Sequence, residues 1–295
     1  MSRLKEALRD SAETVNAALQ KHIPQSDHSD GRLFDAMRYS TMAGGKRLRP
    51  FLVLNSAALF DVPLEWALPS AAAIEMVHTY SLVHDDLPCM DDDNLRRGRP
   101  TVHVKYDEAT AVLTGDALLT LAFEVLADRK TSPDPEVRMD LVAGLSRAAG
   151  GHGMVGGQVL DLWAEEHKLD EAGTVRMQRL KTGEMIAFSG EAGAILARAR
   201  PQQRLALRMF AHDLGLAFQI TDDLLDAEGS AVEVGKATGK DAAAGKATIV
   251  AKLGIEAARD RATLLSRQAA AHLDRFGDKA NPLRALCEFV ITRSN

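Results

Sequence analysis

Apolar side chains recur along this chain at three- and four-residue spacing, as at Leu4, Leu8, Val15 and Leu19, the pattern of helices that bury one face. Period-two alternation between Gly or Asn turns, which would mark strands, is scarce. The pattern predicts an all-α protein with longer helices around 64–86, 113–128, 170–198, 201–226 and 251–275, rich in alanine, the best helix former. Pro24, Pro63, Pro133-Asp134-Pro135 and Pro201 punctuate these stretches, but no Ser/Gly/Pro-rich linker separates halves of different composition. A single-domain helical bundle over residues 1–295 is therefore expected.

The chain has 295 residues, 46% hydrophobic and 26% charged, which is enough to bury a large core and excludes disorder. Its formal charge of -5 gives no overall attraction to nucleic acid or to an anionic membrane, so local groups must hold any anionic ligand. Cys89 and Cys287 form neither a disulfide framework nor a zinc array, and a reducing, cytoplasmic setting is expected. Met1-Ser2-Arg3-Leu4-Lys5-Glu6 reads as a charged amphipathic helix, not a signal peptide. No uncharged apolar run approaches the roughly 18 residues needed to span a bilayer, so no membrane span is expected. The patches Gly44-Gly45, Gly150-Gly151-His152-Gly153 and Gly156-Gly157 lack the form of a nucleotide-binding loop.

Two aspartate clusters carry the strongest chemical signal. His84-Asp85-Asp86-Leu87-Pro88-Cys89-Met90-Asp91-Asp92-Asp93 and Thr221-Asp222-Asp223-Leu224-Leu225-Asp226 each follow a predicted apolar helix. Asp222 and Asp226, four apart, project from one helical face with Asp223 beside them. In the first cluster Pro88 should break the helix and let Asp91 fold back toward Asp85. Clustered carboxylates at a helix C-terminus repel one another and meet the negative end of the macrodipole, so something positive must compensate. Magnesium does so with one or two carboxylates, substrate phosphate oxygens and water. A single Asp-Asp pair is usually a solvated cap, but two clusters, each with a third Asp at short spacing, point to metal.

Basic groups complete the candidate site. Gly44-Gly45-Lys46-Arg47-Leu48-Arg49-Pro50 sets three cations in a loop freed by glycines and closed by proline, suited to gripping a diphosphate. His78 lies two helical turns before Asp85 on the same face, a polar donor in an apolar stretch. Arg96 and Arg97, with planar forks matched to phosphate oxygens, follow the first cluster and could hold two different diphosphates. Lys181-Thr182 lies in a predicted helix, and Gln219 precedes Asp222 by three residues, roughly on its face. Lys236, Lys240 and Lys246 follow the second cluster in a Gly-rich stretch that reads as a mobile basic flap.

Taken in order, the Gly-Gly-Lys-x-x-Arg-Pro loop, Asp-Asp-x-x-x-x-Asp, Arg-Arg-Gly, Gly157-Gln158-x-x-Asp161-Leu162, Lys-Thr-Gly, Phe-Gln-x-x-Asp-Asp-x-x-Asp and Gly-Lys-x-x-Gly-Lys-Asp span essentially the whole chain. The chain thus resembles the trans-isoprenyl diphosphate synthases, of the bacterial short-chain farnesyl diphosphate synthase type. The resemblance implies a helical bundle around a central cavity, three Mg²⁺ ions, a homodimer, and condensation of isopentenyl diphosphate with an allylic diphosphate. It implies Asp85, Asp91 and Asp222 as direct metal ligands, with Asp86, Asp223 and Asp226 metal-bound or one shell out. Lys46, Arg49, His78 and Arg97 would hold isopentenyl diphosphate, and Arg96, Lys181, Lys236 and Lys246 the allylic diphosphate. Gln158 and Asp161 would line the cavity near the metals. The segment Lys246-Ala247-Thr248-Ile249-Val250 departs from the family pattern, which commonly has Tyr-Pro where Ile249 and Val250 stand, and Arg293 is a weaker basic-tail candidate over the isopentenyl site.

Thr182 and Gln219 carry dipoles suited to an allylic cation, and the tertiary cation formed when isopentenyl diphosphate attacks it would lose its proton to the released diphosphate. Tyr80, about 7.5 Å of helical rise before Asp85, would floor the product pocket beside the small Ser81. Pro88-Cys89 within the first cluster also resembles the farnesyl type. A twenty-carbon product, a terpene cyclase and a non-catalytic partner subunit remain as alternatives. The cyclase would not need Lys46, Arg49 and Arg97, and the partner subunit should lack carboxylates that are present here.

Overall fold

The computed structural model describes residues 2–232 and 249–292 and is helical almost throughout. The chain groups into two compact units, one of Ser2–Val142 with Ile195–Arg198, the other of Ala143–Ala194 with Ala199–Asn295.

The first unit contains α1 (Ser2–His22), α2 (Gly31–Thr41), α3 (Leu48–Ala58), α4 (Leu64–Asp85), a hairpin of β1 (Leu95–Arg96) and β2 (Arg99–Pro100), α5 (Val102–Lys105), α6 (Glu108–Ala127) and the start of α7 (Pro135–Ala149). At its centre is α4, buried on nearly every side, from Ala67 through Ile74 and Met76 to Val83, because alanines and β-branched residues surround its axis. It packs chiefly against α6 and α3. The loop after α4 is fixed by Leu87 and Met90, which join Ala36, Val83, Val102 and Ala111 in one apolar cluster.

By length and composition α6 alone among the described residues qualifies as a membrane span, against the sequence expectation. That expectation counted uncharged runs, and Asp116 and Glu124 interrupt this one. One face of α6 packs on α4, while Val112 and Leu113 are exposed.

The second unit holds α8 (Met154–Glu166), α9 (Glu171–Gln178), a π-helical turn (Arg179–Gly183), α10 (Glu184–Leu196), α11 (Pro201–Val232), α12 (Ile249–Leu253), α13 (Ile255–His272), a 3₁₀ segment (Asp274–Ala280) and α14 (Asn281–Thr292). The helix expected over 170–198 is thus interrupted by the π turn, and that over 251–275 is broken at Gly254, whose φ of 82° lies in the left-handed region. Asp170 caps α9 by accepting from Gly173 N at 2.7 Å. Along α11 the principal partner is α13.

Candidate active site

The first acidic cluster folds as its proline requires. α4 ends at Asp85, and the Asp91 amide donates to the Asp85 carbonyl at 2.8 Å, turning the chain back on itself. Leu87 and Met90 point into the core while Asp91 and Asp92 are exposed, so apolar anchors hold the loop that carries the acids. Asp86 is buried and accepts from Arg96 Nε at 2.6 Å. Burial pushes its carboxyl pKa up, against the pull of Arg96.

Arg96 and Arg97 sit in a hairpin rather than an open loop, with Leu95 opposite Pro100 and Arg96 opposite Arg99. Arg97 and Gly98 form its turn, with φ of 53° and 72°. Tyr39 anchors the hairpin, its hydroxyl donating to the Pro100 carbonyl at 2.7 Å and its ring lying under the Arg99 guanidinium. The two arginines separate. Arg96 turns to Asp86 and Asp93, whereas Arg97 donates to the Gly44 carbonyl. Gly45 leaves room for that guanidinium, since a Cβ there would lie 2.6 Å from Arg97 Cζ.

The three cations of the glycine loop have different fates. Lys46 is exposed. Arg47 is buried in an ion pair with Glu75 at 2.6 Å and also donates to Asn16 and to the Thr41 carbonyl, so it braces the loop instead of facing a ligand. Arg49 lies in the first turn of α3, and its Nε is buried without a hydrogen-bond partner among the described residues. Burial lowers the Arg49 guanidinium pKa, Glu75 opposing. Burial and then the charges of Arg49, Arg97, Arg47 and Arg96 push His78 well below 6.5, which keeps it neutral. A neutral imidazole ringed by guanidiniums, one with an orphaned donor, suits a polyanion.

In the second unit the acidic cluster lies inside α11, which continues to Val232, and not at a helix end as expected. Two side-chain amides meet it: Gln219 Nε2 donates to Asp223 Oδ1 at 3.1 Å and Gln178 Nε2 to Asp223 Oδ2 at 3.2 Å. Asp223 is buried, and Asp222 and Asp226 are half-buried. Lys181, in the π turn, donates to Asp161 Oδ2 at 2.5 Å. The π turn lies hard against α8 at Gly157, where a Cβ would come within 2.1 Å of Lys181 N. Gln158, the next residue, has a buried Nε2 with no partner among the described residues. Thr182 is half-buried in the same turn.

Tyr80 is buried, and burial, then Asp85, raises its hydroxyl pKa to about 12. Ser81 beside it donates to the His78 carbonyl at 2.9 Å. Lys236, Lys240, Lys246 and Arg293 lie outside the described residues. Among the described residues no three His, Cys, Asp or Glu groups are gathered as a preformed metal site. The donor chemistry nonetheless fits a hard divalent cation, because Asp85, Asp86 and Asp91 offer oxygen donors on one short loop whose ends are pinned together.

Residues 30–280 match the polyprenyl synthetase family. This chain belongs to that family. It is 41% identical over 294 residues to the farnesyl diphosphate synthase of Geobacillus stearothermophilus, covering 99% of this chain and 98% of that protein. It is 39% identical over 284 residues to the geranylgeranyl diphosphate synthase of Cyanophora paradoxa, covering 96% and 94%. A crystal structure of an FPP/GFPP synthase from Zymomonas mobilis superposes with a TM-score of 0.90 at 45% identity, covering 99% of each chain. The all-helical class expected from the sequence holds, and this member of the polyprenyl synthetase family is a prenyltransferase of the trans chain-elongating type.

Two participants escaped the sequence reading. Glu75 neutralises Arg47, and its signal was a lone charge in the apolar run Ala71 to Val77, three residues before His78. Gln178 shares Asp223 with Gln219, which its sequence position 45 residues away gave no reason to expect.

Proposed function

We propose that this polyprenyl synthetase makes farnesyl diphosphate, joining isopentenyl diphosphate to dimethylallyl or geranyl diphosphate. The observation that carries the reading is the second anion grip. A cyclase ionises one diphosphate, whereas here Arg49, with its orphaned Nε, and Arg97 bear on a neutral His78 and form a further cationic cluster. Together with Lys46 this cluster would bind isopentenyl diphosphate through charge-assisted hydrogen bonds. Arg96, Lys181, Lys236 and Lys246 would bind the allylic diphosphate.

Asp85, Asp91 and Asp222 would hold Mg²⁺, with Asp86, Asp223 and Asp226 supporting them, three ions in all. Magnesium, when bound, supplies positive charge toward the departing diphosphate. The arginines and lysines take up the remaining charge as the allylic C–O bond breaks. Thr182 and Gln219 offer oxygen dipoles to the allylic cation, and Gln219 is held in place by its bond to Asp223. The double bond of isopentenyl diphosphate then attacks, and a proton passes to the released diphosphate. Apolar side chains that exclude water protect the cation from capture.

A fifteen-carbon product is favoured by the Tyr80 ring, buried one helical turn and a residue before Asp85. A twenty-carbon product is the second reading, supported by similar identity to a geranylgeranyl diphosphate synthase. The exposed Val112 and Leu113 on α6 support a homodimer, and the proposal includes a cytoplasmic setting and no nucleic-acid partner.

The test is incubation of the purified protein with isopentenyl and geranyl diphosphates, with and without Mg²⁺, followed by mass spectrometry of the extracted alcohols. Magnesium-dependent fifteen-carbon product is the expected result. Diphosphate release without chain growth would make it a cyclase, and inertness a partner subunit.

A further inference from the structure

Gly115 on α6 faces the His84 ring of α4. A Cβ on Gly115 would lie 2.0 Å from His84 Nε2 and 2.4 Å from Cδ2, so the imidazole occupies the notch that the glycine leaves. There its Nε2–H donates to the Val112 carbonyl at 3.0 Å. This fixes the ring in position and in tautomer.

One turn back along α4, the Tyr80 ring meets the His84 ring edge to face, with centroids 5.7 Å apart and planes at 80°. The three residues form a stack: a glycine notch in α6, an imidazole locked into it, and a phenol ring braced on the imidazole. Nothing on Tyr80 itself need fix its ring if His84 does, and interior side chains move into any space that opens beside them.

We propose that His84, seated by Gly115, is a positioning residue for product length: it holds the Tyr80 ring in the pose that closes the product pocket. The proposal rests on the reading of Tyr80 as the pocket floor. Removing the imidazole opens space beside Tyr80 at the α6 backbone. The ring then settles into that space, the floor recedes, and a longer chain fits.

Four proteins decide the matter, each supplied with geranyl and excess isopentenyl diphosphate and read as the ratio of twenty- to fifteen-carbon product: the parent, Tyr80→Ala, His84→Ala, and His84→Ala/Gly115→Ala. His84→Ala is expected to raise the ratio about tenfold, as about 1.4 kcal/mol between competing barriers would. The double variant returns it toward the parent value, because the alanine methyl refills the notch. Loss of packing or of metal-loop geometry alone lowers the rate without moving the ratio in these opposite directions. If Tyr80→Ala lengthens the product while His84→Ala does not, the brace is refuted and the floor stands. If Tyr80→Ala leaves the product unchanged, the floor reading fails and the brace falls with it. Should His84→Ala prove unfolded by circular dichroism, His84→Asn, smaller than the imidazole, is read in the same way, and an unchanged ratio refutes the brace.

Discussion

The Arg47–Glu75 pair offers the sharpest test of how the basic loop is held. Its side chains are only 1% and 3% exposed, and the guanidinium also donates to Asn16 Oδ1 at 3.0 Å and to the Thr41 carbonyl. In Glu75→Ala the arginine stays buried with those neutral acceptors and no counter-charge. Breaking a buried pair from one side costs about 3–5 kcal/mol. Against a total stability of roughly 5–15 kcal/mol, that is a large fraction. At about 2–4 °C per kcal/mol for a domain of roughly 150–250 residues, the melting temperature should fall by about 10 °C. Replacing both partners, as Arg47→Met/Glu75→Leu, should recover most of the loss, because neither charge then has to be desolvated. Thermal unfolding followed by circular dichroism measures all three proteins. The reasoning is refuted if Glu75→Ala melts within about 2 °C of the parent, or if the double variant is less stable than the single one.

Gly157→Ala would ordinarily stabilise a helix by up to about 1 kcal/mol. Here the added Cβ would meet Lys181 N at 2.1 Å, a backbone atom, so overpacking of about 1–3 kcal/mol wins; a raised melting temperature would contradict the close approach of α8 and the π turn. His78 is held well below 6.5 by burial and by Arg49, Arg97, Arg47 and Arg96. Between that depressed value and 6.5 the unfolded chain carries a proton that the folded chain lacks, so His78 costs stability as pH falls below 6.5. Urea midpoints of His78→Gln should therefore lose less than the parent's on acidification, and parallel curves would exclude the effect. Lys181→Met leaves Asp161 without its 2.5 Å partner and is expected to depress kcat far more than it lowers the melting point; an equal loss in both would mean the lysine is structural. Chelation of divalent metal by EDTA should abolish condensation, with restoration by Mg²⁺, and activity that survives chelation would contradict the proposed role of the aspartates.

Helical periodicity was legible because each long helix buries a stripe or its whole surface, and the fold-back of Asp91 followed from Pro88. The hairpin was not, since strands two residues long have no alternation to read. Nor was the π turn at Arg179–Gly183, because one locally widened turn leaves the apolar spacing on either side intact. Both acidic clusters were expected at helix ends, with a cation to offset the macrodipole. For Asp85 the placement held. For Asp223 it did not: α11 runs on to Val232, and the amides of Gln178 and Gln219 donate to the carboxylate within the helix, the first of them from a separate helix.

Arg47, Asp92 and Arg97 all adopt positive φ, a conformation that non-glycine residues take only when their surroundings insist. Each lies within a few residues of a proposed ligand to metal or diphosphate. A sequence selected for sturdiness alone would place asparagine or glycine at the exposed bends of Asp92 and Arg97, though not at Arg47, whose loss would leave Glu75 buried and unpaired. That arginine and aspartate stand there instead marks a compromise between backbone comfort and charge, so replacements that toughen this protein at these bends should also dull it.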